Sequence, residues 1–263
     1  MRVPALSGRV EQVQGQVYSS VAAELARPHG ETWAFHVGDT WLRPPPGCAV
    51  EELGGMEGMN RYTSVQGWPP LLEAFRGRIA SRTGVDVGAG GLFACAGATA
   101  GLGALILAMV APTDQVLVAA PAWPLLANMV RMAGGVATHV GVLDRGPEEV
   151  VAALEAAVRP GAVALYLNTP NNPSGRVIPR DVLVAMVDFA RRRGLWIIAD
   201  EVYEDYVFRG EHTWTMALAP ERTVGVWSFS KGFGMAGYRC GVVAGPAEVI
   251  AAATRMSTYT YYC

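Results

Sequence analysis

Lys231 stands in the run Ser228-Phe-Ser-Lys-Gly-Phe-Gly-Met-Ala-Gly-Tyr-Arg239, with serines at 228 and 230 before it and an arginine at 239 after it. Lysine condenses with an aldehyde to a Schiff base, and a desolvated lysine loses its proton readily enough to act near neutral pH. Arg239, Ser228 and Ser230 are donors suited to a phosphate. A lysine by itself is most often a solvated surface residue. The chemistry therefore depends on what else the chain brings to the same place.

Four polar runs each follow an apolar run that reads as a strand. Residues 115–119 lead into Pro121-Ala-Trp123-Pro124, and residues 163–167 into Asn168-Thr-Pro-Asn-Asn172-Pro-Ser-Gly175. Residues 195–199 lead into Asp200-Glu-Val-Tyr203, and residues 223–227 into the Lys231 loop. Ligands of such sheets bind outside the carboxyl ends of the strands. Singly, each run has a plainer reading: Asp200 as a helix N-cap, Asn-Pro-Ser-Gly as a turn, Trp123 as core. Together they suit an aldehyde that carries a phosphate, pyridoxal 5'-phosphate. Asp200 would keep a pyridine nitrogen protonated, which makes the ring an electron sink. Asn172 and Tyr203 would donate to the ring's 3-oxygen, and Trp123 would stack on its face. Gly97-Ala98-Thr99 opens a helix whose free N–H groups, with the Thr99 hydroxyl, form an anion site. Ser228, Ser230 and Arg239 complete that cup.

The elements that must hold these groups follow from periodicity. Apolar positions at Val10, Val13, Val17, Val21 and Leu25 predict a helix over 7–27, and 33–37 reads as a short strand. Helices are expected over 69–79, 98–110, 124–133, 147–158 and 179–193, the last stopped by Gly194. Strands are expected at 115–119, 136–143, 163–167, 195–199, 223–227 and 241–244. Near-continuous apolar strands alternating with helices mean an α/β fold with a mostly parallel sheet covered on both faces.

Composition narrows the function classes. The 263 residues suffice for one large domain or two small ones, with 51% hydrophobic and 17% charged residues favouring extensive burial. A net charge of -2 gives no sign of a nucleic-acid or anionic-membrane partner. Arg191-Arg192-Arg193 ends a helix, where cations complement the dipole. Cys48, Cys95, Cys240 and Cys263 form no CxxC pair and the four histidines no ligand pair, so no metal site is expected. The start carries no apolar signal core, which predicts a cytoplasmic, reduced protein. The uncharged stretch 95–112 approaches membrane-spanning length but is Gly/Ala-rich without flanking positive charge, so it is expected to be a buried helix.

With these residues in place the chain resembles the fold-type I, aspartate-aminotransferase-like family of pyridoxal-phosphate enzymes, the class I/II aminotransferases, from about Gly38 to Gly241. The lysine run fits S-x-S-K-x-x-x-M-x-G-x-R-x-G, with Cys240 where an aliphatic residue is usual. Asn172-Pro-Ser-Gly fits N-P-[TS]-G, Asp200-Glu-Val-Tyr203 fits D-x-x-Y, Gly97-Ala-Thr99 fits the phosphate-helix start, and Trp123 fits the stacking aromatic. The resemblance implies a seven-stranded-type sheet as a large cofactor-binding domain over 51–263, with 1–50 as an N-terminal arm and part of a small domain. It implies a homodimer in which Tyr62, in Tyr62-Thr-Ser-Val-Gln-Gly67, reaches the phosphate of the neighbouring subunit, and it implies that the Gly38 backbone touches substrate. Such enzymes carry a C-terminal small domain with an arginine for the substrate carboxylate. No residue here matches that arginine, so the small domain is expected to be truncated.

The function these residues predict is transfer of an amino group between an L-amino acid and a 2-oxo acid through a Lys231 Schiff base, with Lys231, Asp200 and Tyr203 as the catalytic groups. The same residues also serve a lyase, decarboxylase or synthase on this fold, or a catalytically incomplete cofactor-binding fragment. A regulator with a DNA-binding module is disfavoured because no basic N-terminal module precedes the domain. A nicotinamide or flavin enzyme is disfavoured because no G-x-G-x-x-G follows a strand.

Overall fold

The structure, a computed structural model, describes residues 7–13, 27, 38, 42–58 and 60–262. Two short segments open it: a 3-10 helix, Gly8–Gln12, and a single α-helical turn, α1, Val50–Leu53. Most of the predicted helix 7–27 and the predicted strand 33–37 lie outside the described residues.

From α2 (Pro69–Thr83) onward, strands and helices alternate. The strands are β1 (Leu92–Cys95), β2 (Gln115–Ala120), β3 (Val136–Gly141), β4 (Ala162–Asn168), β5 (Trp196–Asp200), β6 (Thr223–Ser228) and β7 (Gly241–Ala244). The helices between and after them are α3 (Gly97–Met109), α4 (Pro124–Met132), α5 (Pro147–Ala157), α6 (Arg180–Arg193), the short α7 (Thr215–Leu218) and α8 (Ala247–Thr258). Local chemistry sets several ends. Prolines at the first positions of α2, α4 and α5 occupy sites where a missing N–H costs nothing. The Glu149 carboxylate accepts the Gly146 N–H at 2.9 Å, closing the first turn of α5. Gly194 ends α6 in the left-handed conformation, as its position predicts.

The seven strands form one sheet in the order β1-β7-β6-β5-β4-β2-β3. Pairs among β2 to β6 are parallel, and β7 runs antiparallel to both neighbours. Alternation along each strand splits the core between two faces. Val116, Val118, Tyr166, Ile198 and Val226 pack with α3, α4 and α8, while Leu117, Leu165, Ile197 and Ala199 pack with α5 and α6. A third cluster, with Phe75 and Ile79 of α2 and Trp227 of β6, covers the end near β1 and β7.

Two elements depart from expectation. β1 was not expected: four residues are too few to show a period, and its strand character comes from pairing with β7, Leu92 opposite Ala244. The second is a helix in the tail, α8, buried through Val249, Ile250 and Ala253. Its Ala/Thr/Ser-rich sequence gives a weak amphipathic signal, and packing on α3 decides it. The stretch 95–112 contains β1's end and the buried α3, and among the described residues no helix is long and apolar enough to cross a membrane.

Candidate active site

The parallel register aligns the strand ends: Asn168 pairs with Asp200, and Asp200 with Val226. Outside that edge lies a cleft of about 480 Å³. Gly38, Ala98, Thr99, Trp123, Asn172, Asp200, Tyr203, Ser228, Ser230, Lys231 and Arg239 all line it. The four strand-end runs singled out by sequence thus converge on one place. Gly97 adjoins the cleft as the first residue of α3, and Tyr62 lies outside it, 85% exposed and edge-on to Tyr262 at 5.2 Å.

Lys231 is held in a loop with little slack. Its Nζ donates to the Gly38 carbonyl and lies 5.8 Å from the centroid of the Tyr203 ring. Its main-chain carbonyl accepts the Tyr206 hydroxyl at 3.0 Å, and the Ser230 N–H donates to Ser228 Oγ at 3.0 Å. A Cβ on Gly232 would lie 2.7 Å from an Asp205 carboxylate oxygen, so a side chain after the lysine would have to displace that carboxylate.

Asp200 is buried at the end of β5, 4% exposed. Tyr166 Oη donates to its Oδ2 at 2.7 Å, and the Val202 N–H donates to Oδ1 at 3.3 Å. No cation pairs with it among the described residues. Burial pushes its carboxyl up to about 6, against the opposing pull of the Tyr166 and Val202 donors. Burial likewise raises the Tyr166 phenol, which remains a neutral donor.

The Asn168 side chain ties two runs together. Its Nδ2 donates to the Asp200 carbonyl at 2.8 Å, and its Oδ1 accepts the Asn172 N–H at 2.6 Å. Asn171 donates to the Pro121 carbonyl at 2.9 Å, joining the Trp123 run to the same assembly. Asn172 Nδ2 then lies 3.4 Å from Tyr203 Oη, so the two groups read as ring-oxygen donors are neighbours.

At the start of α3, Arg239 meets the first turn of the helix. Arg239 adopts the left-handed conformation, φ 52°, and its Nη1 donates to the Ala236 carbonyl at 2.7 Å and lies 3.4 Å from Ser230 Oγ. No carboxylate pairs with it among the described residues. Gly97 has φ 76°, and a Cβ there would collide with the Arg239 guanidinium. Ala96, at the N-cap of α3, offers no side-chain cap, which leaves first-turn N–H groups without a side-chain partner.

Comparison with known proteins decides the family. Residues 42–263 match the family described as aminotransferase class I and II. The chain belongs to the class I and II aminotransferases. Aspartate/prephenate aminotransferase of Thermus thermophilus is 35% identical over 262 residues, 96% of this chain and 67% of the relative. A probable aspartate/prephenate aminotransferase of Thermus aquaticus is 33% identical, with the same coverage of each. Among solved structures, aspartate aminotransferase from Thermus thermophilus with maleate superposes at a TM-score of 0.89 and 31% identity. That match covers 99% of this chain and 69% of the other. The seven-stranded α/β fold is that of the aminotransferase large domain, and transamination is the reaction of this aminotransferase's family. Membership implies pyridoxal phosphate as the cofactor.

Three residues that shape the site carry little mark of it in the sequence. Tyr166 reads as strand core, Asn171 as turn, and Asn168 as no more than the start of its run. For Asn168, its place at a strand end directly before the turn was the available signal. For Tyr166 there was none, because only the strand register reveals that its hydroxyl meets Asp200.

Proposed function

We propose that this aminotransferase exchanges an amino group between an L-amino acid and a 2-oxo acid with pyridoxal 5'-phosphate held in the cleft. The observation that carries the reading is Asp200, a buried carboxylate with no cationic partner among the described residues, in a cleft that also presents Lys231. A lone buried carboxylate is costly, and a protonated ring nitrogen is the counter-charge it lacks. Arg239, without an anionic partner among the described residues, fits a phosphate. The residues present therefore fit the cofactor.

When bound, the cofactor supplies an electron sink for the carbanion at the substrate's Cα. The chain supplies everything else. Asp200 holds the proton on the ring nitrogen. Asn172 and Tyr203 orient the ring through its oxygen, and Trp123 covers a face. Thr99, Ser228, Ser230, Arg239 and the first N–H groups of α3, from Gly97 and Ala98 onward, hold the phosphate. Lys231 Nζ is the covalent attachment point and, once displaced, the base that moves the Cα proton. The Gly38 backbone is placed to meet substrate.

Residues 51–263 serve in this reading as the cofactor-binding domain and residues 1–50 as the arm with part of a small domain. A homodimer completes the anion end through Tyr62 of the partner subunit. The exposure of this chain's own Tyr62 outside its cleft supports that arrangement. The names of the Thermus relatives make aspartate and prephenate the first donor and acceptor to try.

The test is the visible absorbance of purified protein titrated with pyridoxal phosphate, beside Lys231→Ala. Wild type should develop the band of the lysine-linked cofactor and lose it on addition of a true amino donor, and Lys231→Ala should do neither. Transamination retained by Lys231→Ala overturns the proposal.

A further inference from the structure

Tyr166 is fully buried on β4, within the core cluster formed with α3 and α4. A phenylalanine would serve that packing equally well, and a buried hydroxyl without a partner is costly. The hydroxyl does have a partner: it donates to Asp200 Oδ2 at 2.7 Å. Tyr166 pairs with Ile198 and Asn168 with Asp200, so the phenol reaches diagonally along the sheet to the strand end. The only other donor to the Asp200 carboxylate among the described residues is the Val202 N–H at 3.3 Å, a longer bond on the other oxygen. Asn168 is spent on the Asp200 main-chain carbonyl.

We propose that Tyr166 is a positioning residue for Asp200: its hydroxyl keeps the carboxylate ionised in the cofactor-free cleft and fixes one of its oxygens, and so sets the pH down to which the cleft captures its cofactor. This rests on the reading of Asp200 as partner of the cofactor's ring nitrogen. A hydrogen bond to an anion favours the anion, and this one opposes the burial that raises Asp200. The other titratable or charged groups about Asp200 are Glu201 and Tyr203 on its own turn, and Lys231 and Arg239 from the loop between β6 and β7. α3 and the N-cap of α4 present uncharged residues there, Thr99 and Trp123.

The experiment compares wild type, Tyr166→Phe, a chain with 3,5-difluorotyrosine at position 166, and Asp200→Asn. In cofactor-free protein with carbon-13 at the aspartate carboxyls, the Asp200 resonance is assigned by its loss in Asp200→Asn and titrated. Tyr166→Phe should move its midpoint up by about one to two units. The more acidic fluorinated phenol should move it down, a reversal of sign that a packing role does not produce. Absorbance titration with pyridoxal phosphate across pH should show the acid limb of capture moving with the midpoint in each chain, above an unchanged plateau. An unmoved Asp200 midpoint in Tyr166→Phe overturns the proposal. So does an unmoved capture limb when Asp200→Asn abolishes capture, and then the reading of Asp200 still stands. If Asp200→Asn captures cofactor like wild type, the reading of Asp200 fails and this proposal with it.

Discussion

Asp200, the last residue of β5, and Glu204, four residues on in the turn that follows, are both buried, yet their surroundings are opposite. Asp200 has two donors and no cation among the described residues. Glu204 is a hub. Arg78 donates to its Oε1 through two nitrogens at 2.7 and 3.1 Å, and Arg82 approaches the same oxygen at 3.4 Å. Its Oε2 accepts the indoles of Trp214 at 2.7 Å and Trp227 at 3.1 Å. Asp205 pairs with the same two arginines, and the Arg78 guanidinium lies 5.5 Å over the Phe233 ring. Glu201, between the two, is closed off by His212 Nε2 at 2.7 Å and the Thr215 N–H. A buried carboxylate whose charge is met within the chain binds elements together. One whose charge is left open waits for something else. The turn does both: Glu204 and Asp205 fasten α2 and the lysine loop behind the cleft, and Asp200 faces into it.

The largest effect expected from testing this contrast comes from Glu204→Ala. It leaves two indole N–H groups without their acceptor, while Arg78 and Arg82 keep Asp205, and unsatisfied buried donors of this kind together cost roughly 2–5 kcal/mol. For a chain of this size that lowers Tm by on the order of 10 °C, measured by calorimetry on cofactor-free protein. Asp200→Asn should behave the other way. Activity falls about 10²–10³-fold, the scale of losing a preorganised electrostatic contact, while the cofactor-free Tm at pH 7.5 holds or rises. The sign follows from linkage. Asp200 is raised from 3.8 to about 6 in the fold, so the folded protein binds its proton more tightly than the unfolded chain does. Stability on this account falls as pH rises from about 4 to 6 and is level above, a cost of roughly 3 kcal/mol that the asparagine removes. A Tm loss in Asp200→Asn equal to that in Glu204→Ala breaks the contrast. The smallest effect belongs to an exposed pair. Arg76 holds Asp86 at 2.7 Å and lowers its carboxyl to about 2, but both side chains are solvated. Arg76→Gln should leave Tm and activity unresolved from wild type, because exposed pairs contribute little.

The legibility of these regions from sequence differs in the same way. The cleft side was readable because each of its groups directly follows an apolar run: Trp123, Asn172, Asp200 and Lys231 mark strand ends, and parallel strands bring their ends together. The hub was not. Arg78 and Glu204 are far apart in the chain, α2 gives no sign of which loop it meets, and Glu204 reads as a solvated residue after Tyr203. Tyr166 was hidden for a related reason. A tyrosine in an apolar strand is the expected core residue, and the target of its hydroxyl depends on a register that no local pattern encodes. β1 was lost to its brevity, whereas the helices opened by proline and closed by Gly194 carried their boundaries in the sequence.

β7 returns antiparallel beside β6, with Ser228 opposite Gly241. Lys231 and Arg239 therefore belong to one chain reversal, residues 229–240, rather than to two separate crossovers. Closing a reversal of that length costs little chain entropy compared with the long excursions that bring Asp200 or Gly97 into place. Pairing of these two neighbouring strands brings Lys231 and Arg239, the proposed covalent attachment point and phosphate ligand, into one loop. The same register fixes the length of the reversal. An insertion or deletion within it would shift the lysine and the arginine out of phase with each other.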